Sequence, residues 1–116
     1  MAIDPETLLP LTEPTFYILL SLAPGMKHGY AIKKDVKSLS KERVNLSTST
    51  LYTAVGRLLD QALIERFSND DDEVNPGLPR KSYILTDLGR RVLEAETNRL
   101  QGMVGEARLR LQGDGA

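Results

Sequence analysis

Seven polar side chains stand close together between Ser47 and Arg57: Ser47, Thr48, Ser49, Thr50, Tyr52, Thr53 and Arg57. Their hydroxyls donate and accept hydrogen bonds, and the guanidinium adds a planar fork that stays charged. No base sits at a spacing that would activate one of these hydroxyls, and no glycine-rich phosphate loop is present, so no catalytic residue is expected. The set suits recognition instead. Hydroxyls bond phosphates and base edges, and arginine pairs with guanine through two parallel bonds. The one histidine, His28, has no second ligand at metal spacing, and at a helix start it is read as structural. The acidic run Asp70 to Glu73 lacks the glycine and the terminal glutamate of a calcium loop and is read as solvated. No metal or other cofactor is expected.

The elements that must position these groups follow from periodicity. Thr12 caps a first helix, with Pro14 in its first turn and Phe16, Leu19, Leu20 and Ala23 at helical spacing before Pro24-Gly25 ends it. Ile3 to Leu11 adds a turn. A second helix begins near Gly29, with Ile32, Val36 and Leu39 on one side and Lys33, Lys34 and Lys37 on the other. Val44 to Leu46 reads as a very short strand. Ser47 caps a third helix that buries Leu51, Val55, Leu58, Leu59 and Ala62. At 100° per residue this turns Ser49, Thr53, Gly56, Arg57 and Asp60 outward, with Thr50 and Tyr52 on the flanks. Gly56 in mid-helix costs about 1 kcal/mol relative to alanine; its missing side chain is read as letting another backbone approach closely, and nothing else in the sequence accounts for it. Leu63 to Phe67 and Arg80 to Leu85 read as a β-hairpin joined by a long polar loop. Tyr83 is read as half-buried with a wetted hydroxyl.

Thr86-Asp87 then opens a last helix running to about Leu111. Its apolar positions Leu88, Val92, Ala95, Leu100, Met103, Val104, Ala107 and Leu111 extend over roughly 36 Å. The small domain before it is too short to cover that length. The helix is expected to pack on its own copy in a second chain.

Charge is arranged unevenly. The chain has 116 residues and a formal net charge of −1, yet from Met26 to Arg66 eight basic residues face four acidic ones. Acid gathers in Asp70 to Glu73 and along the C-terminal segment. A mildly basic centre between acidic ends suits a domain with one side against a polyanion. There is no cysteine, so disulfides and thiolate metal sites are excluded. No apolar run reaches the roughly 18 residues of a membrane span, no signal peptide is recognised, and a cytoplasmic location is expected.

Helix, helix, helix, strand, loop, strand and long helix is the order of a winged helix-turn-helix followed by a dimerising tail. The fold is mainly α with a small hairpin. Residues 1–86 are expected to form the DNA-binding domain, 87–111 the dimerisation helix and 112–116 a disordered tail. Four motifs carry a resemblance to a known family: His28-Gly29-Tyr30-Ala31-Ile32, Leu46 to Tyr52, Leu63-Ile64-Glu65, and Pro79 to Arg90. In this order and spacing the chain, from about Leu11 to Arg91, resembles the PadR family of bacterial transcriptional regulators. It is most like the short members with a single C-terminal dimerisation helix. The resemblance implies a homodimer that binds an inverted-repeat operator on double-stranded DNA, usually as a repressor, and small-molecule inducers act on some members. It also implies that Tyr30, the segment Ser47 to Tyr52 and the pair Arg80-Lys81 lie at the DNA surface.

Together these readings give a DNA surface of Tyr30, Lys33, Ser47, Thr48, Ser49, Thr50, Tyr52, Thr53, Arg57, Arg80 and Lys81. The dimer surface is expected from Leu88, Val92, Leu100, Met103, Val104, Ala107 and Leu111. The alternative is a winged-helix module used for protein–protein contact. Three departures from the family stand out. Ala62 occupies the exit of the third helix where the family usually has glycine, so the turn is expected to be built differently. The acidic run is expected to point away from DNA. The last helix has no aromatic residue, whereas members that hold flat aromatic compounds do so between such side chains.

Overall fold

The computed structural model describes residues 3–67 and 81–113. The long polar loop, Arg80 and the acidic run Asp70 to Glu73 lie outside the described residues, as do residues 114–116.

Every helix but α2 starts where a side chain satisfies free backbone N–H groups. A short 3-10 helix, Pro5–Leu8, is capped by Asp4. Helix α1, Glu13–Leu22, is capped by Thr12, whose hydroxyl accepts from the Thr15 N–H at 3.3 Å. Strand β1, Lys27–His28, leads directly into α2, Gly29–Leu39. Ser47 caps α3, Thr48–Asp60, and Thr86 caps α4, Asp87–Leu111. Between α3 and α4 run strands β2, Ile64–Phe67, and β3, Ser82–Leu85.

The three strands form one antiparallel sheet in the order β1-β3-β2. Ile64 pairs with Leu85 and Phe67 with Ser82, while Lys27 pairs with Tyr83 and His28 with Ser82. The third strand is therefore Lys27–His28. Val44 to Leu46, expected as a strand, is irregular, because β1 takes the free edge of β3. As the middle strand, β3 is covered on both faces. Tyr83 is 1% exposed, which corrects the half-buried reading, and burial pushes its phenol pKa up.

The core joins Ile18, Leu19 and Leu22 of α1, Ile32 and Val36 of α2, and Leu51, Val55 and Leu58 of α3 to Leu63, Ile64, Tyr83 and Leu85 around the sheet. It continues into α4 through Val92 and Leu93, with Glu96 buried beside them, so the packed unit runs on past residue 86. Val92 is wholly buried and Leu88 packs against the same core. Both were expected at a dimer surface, and both are used within the chain. Leu39, expected in the core, is 40% exposed.

The exit from α3 corrects another expectation. Ala62 is exposed and sits at φ +61°, the left-handed conformation a glycine would supply, so the turn is built in the glycine way with an alanine in it. Left-handed backbone costs a residue with a Cβ about 1–2 kcal/mol, and glycine's greater freedom in the unfolded chain offsets part of that. Ala62→Gly is expected to raise stability by about 0.5–1 kcal/mol, read as a higher urea midpoint at unchanged slope. A lower midpoint would show that Ala62 is not strained.

Candidate nucleic-acid interface

Helix α3 is fixed from beneath. Leu51, Val55 and Leu58 are at most 2% exposed, which fixes the rotation of the helix and turns Ser49, Thr53 and Arg57 to solvent. Its first turn is held by hydroxyls. The Ser47 side chain accepts from the Thr50 N–H at 3.1 Å and donates to the Thr50 hydroxyl at 2.9 Å. Thr53 donates to the Ser49 carbonyl at 2.9 Å, which leaves its methyl group and oxygen lone pairs outward. Ser47, Thr48, Ser49, Thr50, Tyr52, Thr53 and Arg57 are all exposed; of these the periodicity turns Ser49, Thr53 and Arg57 outward and places Thr50 and Tyr52 on the flanks.

Tyr52 ties α3 to the start of α2. A Cβ on Gly29 would collide with the Tyr52 hydroxyl, so the phenol lies directly against that glycine. The Gly29 N–H donates to the Lys81 carbonyl at 3.3 Å, which brings Lys81 to the same place. The adjacent Tyr30 is 69% exposed, with the Lys34 ammonium 5.6 Å from its ring centre. Tyr30, Tyr52 and Lys81 thus meet at the start of α2, and Lys81 is exposed. His28 occupies the N-cap position but makes no cap bond. Its Nδ1 is 2.8 Å from the Ser82 hydroxyl, a structural tie within the sheet.

Two open hollows border these residues, one on α2 and the loop after it and one beside α3. One, of about 640 Å³, is lined by Tyr30, Lys33, Lys34, Lys37, Ser38, Lys41, Glu42 and Asn45. Lys33, Lys34 and Lys37 recur on one side of α2, and Lys41 and Asn45 come from the loop that follows it. Only Lys37 among these lysines pairs with a carboxylate among the described residues, Glu42 at 3.9 Å. The other hollow, of about 500 Å³, has Ser49, Thr50, Thr53, Ala54 and Arg57 on one wall and Thr12, Pro14 and Thr15 on the other. Thr12 and Thr15 were not read as site residues. Their helix periodicity is visible in the sequence, but the packing that sets α1 beside α3 is not. Arg80 falls outside the described residues.

Among the described residues no group of three or more histidines, cysteines or acids could hold a metal ion, and no helix is long and apolar enough to cross a membrane.

The open face thus presents hydroxyls, two tyrosines, one arginine and several lysines, most of them on helices α2 and α3. Such groups bond phosphates and base edges.

Comparison with known proteins gives the context for this surface. The model of the transcriptional regulator PadR-like family matches residues 18–95. An uncharacterized 37.1 kDa protein in transposon TN4556 of Streptomyces fradiae is 32% identical over 93 residues, 78% of this chain and 24% of that protein. The chain therefore spans about a quarter of that relative's length. A PadR family transcription regulator from Clostridium difficile R20291 superposes with a TM-score of 0.70 at 26% identity, over 86% of this chain and 99% of the other. Bacillus subtilis PadR in complex with operator DNA gives 0.58 at 25% identity, over 74% of this chain and 47% of the other. The chain is mainly helical with a small antiparallel sheet and a long C-terminal helix, as in these winged-helix regulators. With the family model matching two-thirds of its length, this chain belongs to the PadR-like family of transcriptional regulators, which are not enzymes.

Proposed function

We propose that the chain is a sequence-specific DNA-binding repressor that acts as a homodimer on an inverted-repeat operator. The observation that carries the reading is the outward face of α3, with its hydroxyls, Tyr52 and Arg57, packed through Tyr52 on the start of α2, which carries Tyr30 and Lys33 and is bonded to the Lys81 carbonyl. Bacillus subtilis PadR, of similar fold, was solved on operator DNA. In this reading α3 enters the major groove, Arg57 reads a base, and Tyr30, Lys33, Arg80 and Lys81 hold phosphates.

Arg57→Ala is the test. Binding to a duplex selected from a random library is expected to weaken by about 1–3 kcal/mol, roughly 5- to 150-fold, while binding to unselected duplex changes little. Equal loss on both would make Arg57 a phosphate contact. Affinity of the unaltered chain is expected to fall steeply with salt, because each phosphate contact releases counterions. A flat salt response would favour the protein–protein reading.

The second copy is argued from α4. Gly89, Val92, Leu93 and Glu96 are buried by the chain's own domain. At 100° per residue Leu100, Met103, Val104, Ala107 and Leu111 continue on the same side. There Met103 is 56% exposed, Val104 49% and Leu111 86%. Cutting the chain after Arg91 would strip Val92, Leu93 and Glu96 from the core, so a point substitution is the cleaner probe. Val104→Glu places a charge in the proposed seam and is expected to give a folded monomer by sedimentation. A variant that stays dimeric would move the interface elsewhere.

A further inference from the structure

Gly56 sits in the middle of α3 without serving the fold. A Cβ there would meet nothing within 4 Å, and its backbone needs no left-handed angle. Alanine is the better helix former at such a position, so the folded chain alone would favour it. The residue lies on the outward side, one turn beyond Tyr52 and Thr53 and next to Arg57, opposite the buried Leu51, Val55 and Leu58.

We propose that Gly56 is a depth-setting, specificity-determining residue, whose missing side chain lets α3 sit far enough into a DNA major groove for Thr53 and Arg57 to reach base edges. This rests on the DNA-binding reading and extends it. The space available makes the case. An α-helix with its side chains is about 10–12 Å across, and the major groove is about 12 Å wide. The bulk of groove-facing side chains therefore sets how deep the helix goes. Thr53 is short, and its hydroxyl is drawn back onto the Ser49 carbonyl at 2.9 Å, so it reaches a base edge only from close range. One turn past Gly56, Asp60 is exposed on the same side. Its carboxylate would be repelled by DNA phosphates, so the close approach ends at Gly56.

The test compares the full-length chain with its Gly56→Ala variant. A duplex is first selected from a random library with the unaltered chain. Binding of that duplex and of unselected duplex is then measured by fluorescence anisotropy, beside a thermal melt. The variant is expected to melt a few degrees higher. It is expected to bind the selected duplex at least tenfold more weakly and to change by less than threefold on unselected duplex. Selected-duplex binding within threefold of the unaltered chain would overturn the proposal. So would a lower melting temperature, since the fold itself would then need the glycine. If the unaltered chain selects no duplex, the DNA-binding reading fails and this inference with it. If Arg57→Ala loses discrimination while Gly56→Ala does not, only the depth role is lost.

Discussion

Replacing Gly89 with alanine is expected to cost the chain about 3 kcal/mol of folding stability, the upper part of the usual range for forcing an extra carbon into a packed site. Gly89 lies in the first turn of α4, where the helix backbone passes directly over the carbonyl of Leu63. A Cβ on Gly89 would overlap that carbonyl oxygen and would stand 3.2 Å from Leu85 Cδ2. The oxygen is not free to move aside. It accepts the Thr86 N–H at 3.1 Å, and the carbonyl of the preceding Ala62 accepts the Thr86 hydroxyl at 2.6 Å. The Gly89 N–H is bound to the same Thr86 side chain at 2.9 Å, so helix cap, hairpin base and glycine form one junction. Relief would require shifting α4 off the sheet, where Val92 and Leu93 complete the core. A loss this size is a large share of the roughly 5–15 kcal/mol that holds a domain together. The contrast with Gly56 is the control, since there the same added methyl meets open space. Urea unfolding of the two variants should move in opposite directions. A loss below about 1 kcal/mol for Gly89→Ala would mean that the junction can open cheaply.

What was legible in the sequence follows from how far each interaction reaches. The start of α3 was legible because a cap and a period of 3.6 are local: Ser47 bonds Thr50, and Leu51, Val55 and Leu58 turn inward together. The exposed face of α3 followed from the same arithmetic. Strand β1 was not legible, because two residues carry no period and Lys27–His28 is extended only through its pairing with β3, more than fifty residues away. Along α4 the period located the apolar side but not its partner. Val92 and Val104 look alike in sequence, yet one is wholly buried by the domain and the other is 49% exposed. The close contacts of Gly29 with Tyr52 and of Gly89 with Leu63 are likewise set by other elements. Ala62 misled in a different way. Its poor fit to a left-handed turn was visible, but the surrounding helix and strand impose that conformation regardless.

The same limit hid Glu96, which interrupts the apolar side of α4 and is 1% exposed. Its carboxylate accepts the Leu11 N–H at 2.8 Å and the Arg99 Nη2–H at 3.0 Å, so it holds the N-terminal segment against α4. The Arg99 hydrogen bond holds the Glu96 carboxyl below the usual carboxylate range; burial pushes the other way, and the Leu11 N–H adds to the lowering. Removing Arg99 leaves a buried charge without its cation. For a fully buried pair that costs about 3–5 kcal/mol. The Arg99 side chain is 36% exposed, so water screens part of the loss, and Arg99→Ala is expected to lower stability at neutral pH by less than loss of a fully buried partner would. The pH dependence has a definite sign. With a native pKa below the unfolded one, the pair contributes stability above the ordinary carboxylate value and loses it as pH falls through the native value. Without Arg99, burial acts against the carboxylate and acid relieves it by protonation. The urea stability gap between the unaltered chain and Arg99→Ala should therefore be widest at neutral pH and narrow on acidification. A gap that stays constant with pH, or no measurable gap at neutral pH, would reduce Glu96–Arg99 to an ordinary surface pair. Glu96→Gln keeps an acceptor for Leu11 while removing the charge, so in that background Arg99→Ala should cost less than it does alone.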